Sequence, residues 1–297
     1  MTIIKAARFG AGYALIHSSS KPQGSEMAGI TQSIEEMVGA NPDVDNQENF
    51  EALWGLLGEM LEKVRTRFDI EMDPCCTKLQ PYEGLPDTGA KGYIGAYAGE
   101  EIDWLIHSWT GNPKASFTNM HLTINLGPHI DVPHFGFALG TVPDIFWYMD
   151  YVPRVDMLTN PDYAEKYYYG ETNDAFVEMD RNPNFTPFVS REFYTRLAQT
   201  PNSICVGAPF SPENLETVRT LAHRQIDRWL KWVDEAQPVA EADRAALAAR
   251  DEYIRRTICE RDPANVVVDK LFSKELGDYL VKTLWGGTRT LPRPLDR

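Results

Sequence analysis

The chain has 297 residues, of which 43% are hydrophobic, and a formal net charge of −14, so it is long and apolar enough to form one large domain with a full core. The acidic balance and the lack of a long Lys/Arg run exclude nucleic acid as a partner and disfavour an anionic membrane surface. No uninterrupted apolar window of about 18 residues occurs, so the sequence predicts no membrane span, and we expect a cytoplasmic protein.

Residues 1–48 are predicted to form an N-terminal extension, and residues 49–297 a single domain. The segment 17–48 is rich in Ser, Gly, Asn and acidic residues, which is typical of poorly packed chain. The domain begins with an amphipathic helix, because apolar residues recur at helical spacing. These residues are Phe50, Leu53, Trp54, Leu57, Met60 and Val64.

Five alternating runs follow and predict the strands of an antiparallel meander, since their short separators carry Gly, Pro, Asn or Asp. In the third run, the even-numbered residues from Met120 to Leu126 are apolar, and the odd-numbered residues from Asn119 to Asn125 are polar. One face of this strand is therefore predicted to pack and the other to be polar. The runs are 93–97, 102–109, 117–126, 134–139 and 145–151.

Helices are predicted for the rest of the chain. Asn160-Pro161 and Ser211-Pro212 each combine an N-capping residue with proline at the first helical position. A third helix is predicted over 241–259, and Asp262-Pro263 is predicted to cap a fourth helix that continues to Leu284. Strands followed by helices, without βαβ alternation, predict the α+β fold class.

Resident cofactors have no recognisable sequence motif. The four cysteines form no CxxC pair, and the sequence contains no HxH, HExxH, GxGxxG or P-loop motif. His129 and His134 are a weak metal-ligand pair at loose spacing. We therefore expect no metal and no cofactor.

Histidines are concentrated in the predicted meander, with His107, His121, His129 and His134 beside Asp103 and Asp131. Imidazole and carboxylate groups together supply a proton donor and acceptor, so this cluster predicts an acid/base cleft. Asp103 and His107 are four residues apart on a strand and are predicted to share a face. The alternative is that these histidines are surface residues or hydrogen-bonded core residues.

Two further polar residues have a structural and a functional interpretation. Asp262 is either the cap of the fourth helix or a cleft carboxylate. Arg154 follows Pro153 at a strand exit, where pairing with Asp150 or Asp156 is the structural interpretation.

Several blocks resemble the red chlorophyll catabolite reductases. They are DWLIHSW (103–109), MDYVPRVDMLTNPDYAEKYY (149–168) and ARDEYIRRTICERDPANVVVDKLF (249–272), while IDVPHFGFAL (130–139) resembles a strand of the related ferredoxin-dependent bilin reductases. The resemblance implies an α/β/α sandwich with a central antiparallel sheet flanked by helices, a substrate between the sheet and the C-terminal helices, and a homodimer.

The resemblance also implies site residues. The family's C-terminal catalytic aspartate falls on Asp262, and the central-strand acidic or amide residue of bilin reductases falls near Asn119 or His121. The reductases use a pocket glutamate shortly after the Ser-Trp pair, whereas this chain has Thr110, Gly111, Asn112 and Pro113 there.

Three functions follow as hypotheses. The first is a cofactor-independent lyase on a small aromatic, lignin-dimer-like substrate such as a phenylcoumaran, releasing formaldehyde by a retro-aldol step. The second is a ferredoxin-dependent reductase of a linear tetrapyrrole, although the acidic charge of this chain opposes an acidic ferredoxin. The third is a non-catalytic tetrapyrrole or aromatic-ligand carrier.

Two groups of residues are assigned to the first hypothesis. His121 or His107 is the candidate base, with Asp131 or Asp262 as the orienting or proton-donating carboxylate and His134 as a further catalytic candidate. The candidate substrate-binding residues are Asp103, Tyr93, Asn119, Tyr148 and Arg154.

Overall fold

The computed structural model describes residues 31–39, 44–115 and 117–296. The helices are α1 (Ile34–Gly39), α2 (Gln47–Arg67), α3 (Pro161–Tyr168), α4 (Glu171–Asp180), α5 (Phe193–Leu197), α6 (Pro212–Asp234), α7 (Glu241–Arg261), α8 (Asn265–Leu271) and α9 (Lys274–Trp285). The strands are β1 (Thr31–Gln32), β2 (Ile70–Met72), β3 (Tyr82–Glu83), β4 (Lys91–Gly99), β5 (Ile102–Gly111), β6 (Thr118–Leu126), β7 (His134–Val142), β8 (Asp144–Val152), β9 (Thr186–Pro187), β10 (Val189–Ser190) and β11 (Ile204–Ala208).

A nine-stranded sheet forms the middle layer, with the order β2-β4-β5-β6-β7-β8-β11-β9 and with β3 paired to β4. Strands β4 to β8 form the predicted meander, and each pairs antiparallel with the next along the chain. Helices cover both faces of this sheet. The predicted α/β/α sandwich with a central antiparallel sheet is therefore confirmed.

The first core lies between the sheet and α2 and α6, where the apolar residues of β6 point. It buries Leu53 and Leu57 of α2, Met120, Leu122 and Ile124 of β6, Phe137 of β7, and Ile226 and Trp229 of α6. The second core lies on the opposite face, against α8 and α9. It buries Ile94, Ala96, Trp104, Ile106, Phe272 and Leu280.

The helix boundaries follow local capping chemistry. The Ser211 hydroxyl accepts a hydrogen bond from the Asn214 N–H at 3.1 Å, so α6 begins as predicted. Asn160 occupies the N-cap position of α3, but its amide donates to the Asp156 carbonyl instead of capping the helix.

The predicted fourth helix is two helices. Phe272 is extended, and the Ser273 hydroxyl caps α9 by accepting from the Leu276 N–H at 3.3 Å. The sequence interpretation missed this second capping residue within the run of apolar residues.

Part of the predicted N-terminal extension is ordered. Residues 31–39 form β1, which pairs in parallel with β10, and α1, whose Glu36 pairs with Arg191 at 2.6 Å. Residues 1–30 and 40–43 of that extension lie outside the described residues. Within the described ranges, no helix is long and apolar enough to span a bilayer.

Candidate active site

A cavity of about 320 Å³ lies between the sheet and the C-terminal helices. This volume is near the lower limit of pockets that hold drug-sized ligands. Its walls come from β6, β7 and β8 on one side and from α7, α8 and the loop between them on the other.

Polar side chains of β6 form one part of the sheet wall. The odd-numbered residues Asn119, His121, Thr123 and Asn125 line the cavity, while the even-numbered residues are buried in the first core. The predicted division of this strand into a polar and an apolar face is therefore confirmed.

Small residues of β7 form the floor of the cavity. Gly136, Ala138 and Gly140 line it, and in the sheet register they pair with Thr123, His121 and Asn119 of β6. On the other side they pair with Asp150, Tyr148 and Phe146 of β8. Because these three positions carry little or no side chain, a flat ligand has room between the polar β6 and the aromatic β8. The sequence signal was the alternation of small and large residues in HFGFALGTV, which the sequence interpretation did not use.

His121 lines the cavity from β6, where its side chain can contact a ligand. Burial lowers its pKa to about 4, so its imidazole is neutral at neutral pH. A neutral imidazole accepts a proton or a hydrogen bond and leaves the cavity without a permanent positive charge at this point.

Asp262 lines the same cavity as His121, from the wall formed by α7, α8 and the loop between them. It follows the last residue of α7, and its Oδ1 accepts a hydrogen bond from the Ala264 N–H at 2.8 Å. Burial raises the pKa of this carboxyl, against the opposing effect of the Ala264 hydrogen bond. Both interpretations of the sequence therefore describe one side chain, which orders the turn after α7 and also lines the cavity.

Tyr148 lines the cavity, and its hydroxyl lies 3.5 Å from Oδ2 of Asp150. Asp150 is buried and accepts hydrogen bonds from the Thr200 N–H at 2.8 Å and hydroxyl at 2.6 Å. Burial raises the pKa of Asp150 to about 7 and raises that of Tyr148 well above its ordinary value. Asp150 does not line the cavity itself. The sequence interpretation missed its contacts with Tyr148 and with Thr200, which is 50 residues away in the chain.

His134 lines the cavity as part of a buried network. Its Nδ1 accepts a hydrogen bond from the Leu126 N–H at 3.1 Å, and its Nε2 lies 3.5 Å from Oδ1 of Asp251 on α7. Oδ2 of Asp251 accepts from Nη2 of Arg154 at 2.6 Å. Burial lowers the pKa of His134, although Asp251 acts in the opposite direction.

Arg154 is a structural residue in this network. Its guanidinium donates to Asp251 and to the carbonyls of Gly127 and Ile130, it is 1% exposed, and it does not line the cavity. The predicted pairing with Asp150 or Asp156 was wrong, because the partner comes from α7, which packs over this strand exit. Asp251 itself was not predicted.

Asp103 lies in a second ion-pair network. Its carboxylate is 2.8 Å from Arg255 of α7 and 2.7 Å from Arg289. Burial raises the pKa of Asp103, but the two guanidinium groups outweigh this effect and hold it at about 2. Arg255 lines the cavity, whereas Asp103 lies behind it.

Tyr93 and His107 lie on the opposite face of the sheet. His107 stacks on Trp54 of α2 with ring centroids 4.0 Å apart, and both residues line a different cleft. The predicted shared face of Asp103 and His107 was wrong, because a β-bulge between Ile102 and Trp104 breaks the alternation.

The remaining candidates lie apart from the cavity. Asp131 and His129 belong to the loop between β6 and β7 and do not line it. In the described part of the chain, no three His, Cys, Asp or Glu side chains form a group that could hold a metal ion. The structure thus brings together His121, Asp262, His134, Asn119 and Tyr148 from the predicted set.

The fold and this cavity define an α/β/α sandwich of the bilin-reductase type. The chain is similar to phytochromobilin synthase from tomato, solved in complex with biliverdin, with a TM-score of 0.65 and 19% identity over 82% of this chain and 86% of that one. The family model of red chlorophyll catabolite reductase matches residues 55–285. This chain therefore belongs to the red chlorophyll catabolite reductase family, as its sequence blocks predicted.

Curated relatives give the same family. The red chlorophyll catabolite reductase of Hordeum vulgare is 26% identical over 50% of this chain and 79% of its own length. The chloroplastic enzyme of Arabidopsis thaliana is 23% identical over 77% of this chain and 78% of its own length.

Proposed function

We propose that this protein is a ferredoxin-dependent reductase of a linear tetrapyrrole. The observation that carries the proposal is that Asp262 and His121 face one flat-floored cavity in a member of the red chlorophyll catabolite reductase family. The tomato protein of the same fold was solved with biliverdin, a linear tetrapyrrole. A planar conjugated ligand suits a floor made of Gly136, Ala138 and Gly140.

The reaction requires electrons from outside and protons from the cavity. Reduction of one double bond consumes two electrons, delivered singly by reduced ferredoxin, and two protons. Asp262 is suited to donate a proton, because burial keeps its carboxyl protonated to higher pH than usual. His121 and Asn119 are suited to orient the ligand by hydrogen bonds from the β6 wall.

The cofactor-independent lyase is the second candidate, and two observations favour it. Thr110 lines the cavity in the stretch where the reductases are expected to carry a pocket glutamate, and the cavity volume of about 320 Å³ suits a two-ring compound. In this reaction His121 would take the proton of a primary alcohol, and the C–C bond would break to release formaldehyde. The electron pair would expel a phenoxide, which a general acid such as Asp262 would protonate, leaving a stilbene.

One pair of assays separates the two candidates. The purified protein is incubated with biliverdin and reduced ferredoxin under anaerobic conditions, and separately with a phenylcoumaran dimer without reductant. Bilin absorbance changes that require ferredoxin support the reductase. Formaldehyde release without reductant, together with an unchanged bilin spectrum, would replace it with the lyase. Ligand binding without turnover in both assays would leave only the carrier hypothesis.

Assembly and location are part of the same proposal. We propose a homodimer, as the resemblance implies, and a cytoplasmic location, as the sequence predicts. Light scattering of the purified protein measures the assembly, and a monomeric mass at working concentration would contradict this part of the proposal.

A further inference from the structure

The sheet carries a second cleft on the face opposite the candidate active site. It has a volume of about 480 Å³ and lies between α2 and strands β4 and β5. Trp54, Tyr93, Tyr97, His107 and Trp109 line it. His107 pairs in register with Leu122, which is buried in the first core, so the full thickness of the sheet separates this cleft from His121.

We propose that this cleft binds an uncharged planar aromatic molecule that carries a hydroxyl group. The proposal goes beyond the proposed function, because no residue of the cleft lines the cavity of Asp262.

The ring arrangement of the cleft suits an aromatic ligand. The imidazole of His107 and the indole of Trp54 are stacked at 4.0 Å with an interplanar angle of 16°. Tyr93 meets the edge of both rings, with centroid distances of 6.0 Å to Trp54 and 6.4 Å to His107. A further ring can join such a cluster by stacking or edge contacts, which are the preferred geometries of aromatic pairs.

A glycine beside His107 allows two tyrosine side chains to close over β4 at the floor of this cleft. Gly95 of β4 is the register partner of His107 on β5. A Cβ atom at Gly95 would lie 3.0 Å from the Tyr97 hydroxyl and 3.2 Å from the Tyr93 hydroxyl. The two phenol groups therefore converge above the glycine, where they can exchange hydrogen bonds with a ligand hydroxyl.

His107 supplies an unused polar group to the cleft. The residue is 7% exposed, and among the described residues its buried Nε2 has no hydrogen-bond partner. Most buried polar atoms in folded proteins are hydrogen-bonded, so an unpaired imidazole nitrogen in an aromatic pocket indicates a place for a ligand group.

The charge of the cleft favours a neutral ligand. Glu62 and Arg65 are the charged residues that line it, and they pair with each other at 3.5 Å. Burial lowers the pKa of His107 to about 4, so this side chain is neutral at neutral pH. A carboxylate ligand would therefore meet no unpaired positive charge in the cleft.

The test is direct binding of 2-naphthol to the full chain by isothermal titration, with 2-naphthoate as the charged probe and cyclohexanol as the non-aromatic one. The natural chain is compared with His107→Phe, which keeps a ring on Trp54 but removes both nitrogens, and with His121→Phe on the opposite face. Near-ultraviolet circular dichroism confirms that each variant is folded, and Trp54→Phe supplies a second variant of the cleft.

We expect 2-naphthol to bind the natural chain and His121→Phe equally, and to bind His107→Phe at least about tenfold more weakly, because the hydrogen bond to the imidazole is lost. Naphthoate and cyclohexanol should bind more weakly than 2-naphthol. Equal binding by His107→Phe, loss of binding in His121→Phe, or no binding at millimolar 2-naphthol would each overturn the proposal. The proposal would also be overturned if a second copy of the chain covered the cleft in solution.

Discussion

At the scale of single residues, Asp262 orders the turn after α7 and is also the proposed proton donor. One substitution separates these two roles. In Asp262→Asn the amide oxygen can still accept the Ala264 N–H, but the side chain no longer donates an acidic proton. We expect turnover to fall at least about 100-fold while the fold is retained. The measurement is single-turnover kinetics on whichever substrate the paired assays identify, beside thermal unfolding.

Asp269→Asn is the matched control, because Asp269 is an exposed residue of α8 that does not line the cavity. It should leave turnover unchanged. If Asp262→Asn retained full activity, Asp262 would be only the residue that orders the turn after α7.

Asp150 makes stability depend on pH in the direction opposite to an ordinary ion-paired carboxylate. Its pKa in the folded state is about 7, against an ordinary value of 3.8. Between these values the folded chain binds more protons than the unfolded chain, so the free energy of unfolding falls as pH rises through this window. The separation corresponds to at most about 4 kcal/mol.

Asp150→Asn should abolish most of this pH dependence, because an amide can still bond with Thr200 but carries no charge. Urea unfolding at pH 5 and pH 8 measures the effect. The natural chain should be less stable at pH 8 than the Asn variant, whereas Asp180→Asn, an exposed change on α4, should follow the natural chain. This role of Asp150 would be contradicted if the free energy of unfolding of the natural chain rose from pH 5 to pH 8 and Asp150→Asn removed that rise.

At the scale of elements, two glycines of β7 have different reasons for lacking a side chain. A Cβ atom at Gly136 would make only ordinary contacts, the nearest at 3.6 Å. At Gly140 it would lie 2.6 Å from the backbone oxygen of Thr118. Gly136 therefore keeps the cavity open, whereas Gly140 also permits the close approach of β6.

Gly136→Val should fill part of the cavity floor beside Tyr148 and weaken ligand binding at least about tenfold without a large loss of stability, since a β-branched residue suits a strand. Gly140→Ala should lower stability instead. Absorbance titration with the ligand and thermal unfolding of both variants measure the two effects. Unimpaired binding by a folded Gly136→Val protein would show that the ligand lies elsewhere.

The buried ion pair between β8 and α7 predicts a large effect on stability. Arg154 and Asp251 meet at 2.6 Å with side chains that are 0% and 6% exposed. Arg154→Met would leave Asp251 as an uncompensated buried charge, which costs about 3–5 kcal/mol. The double variant Arg154→Met with Asp251→Asn should recover much of this loss in urea unfolding. A single variant as stable as the natural chain would contradict this account.

The elements also show which parts of the fold were predictable from sequence. The polar and apolar faces of β6 were predicted because alternation is a local property of a strand. The bulge next to Asp103 has no comparable local pattern, and that one extra residue moved His107 to the opposite face. The partner of Arg154 was missed because Asp251 lies 97 residues away on a helix that was predicted only by its boundaries.

At the scale of the whole molecule, one sheet supports a cavity on each face. Residues from opposite faces alternate along β5, so substitutions at neighbouring positions such as His107 and Ser108 report on different faces. Residues that are close in the sequence can therefore belong to different sites, because the candidate active site and the second cleft lie on opposite faces of the sheet.

The net charge of −14 makes a prediction about the electron donor of the proposed reductase. Two acidic proteins repel each other, and added salt screens that repulsion over a Debye length of about 10 Å at 0.1 M. Raising the salt concentration from 20 to 200 mM should therefore lower the KM for ferredoxin, by about 3- to 10-fold.

Steady-state kinetics at a fixed bilin concentration measures this dependence, and bilin affinity titrated without ferredoxin is the control that should change little. A KM that rises steeply with salt would indicate attraction between opposite charges. In that case a local basic docking surface would outweigh the overall negative charge. The first residues to neutralise in a search for that surface are Lys270, which pairs with Glu35 of α1, and Arg191, which pairs with Glu36.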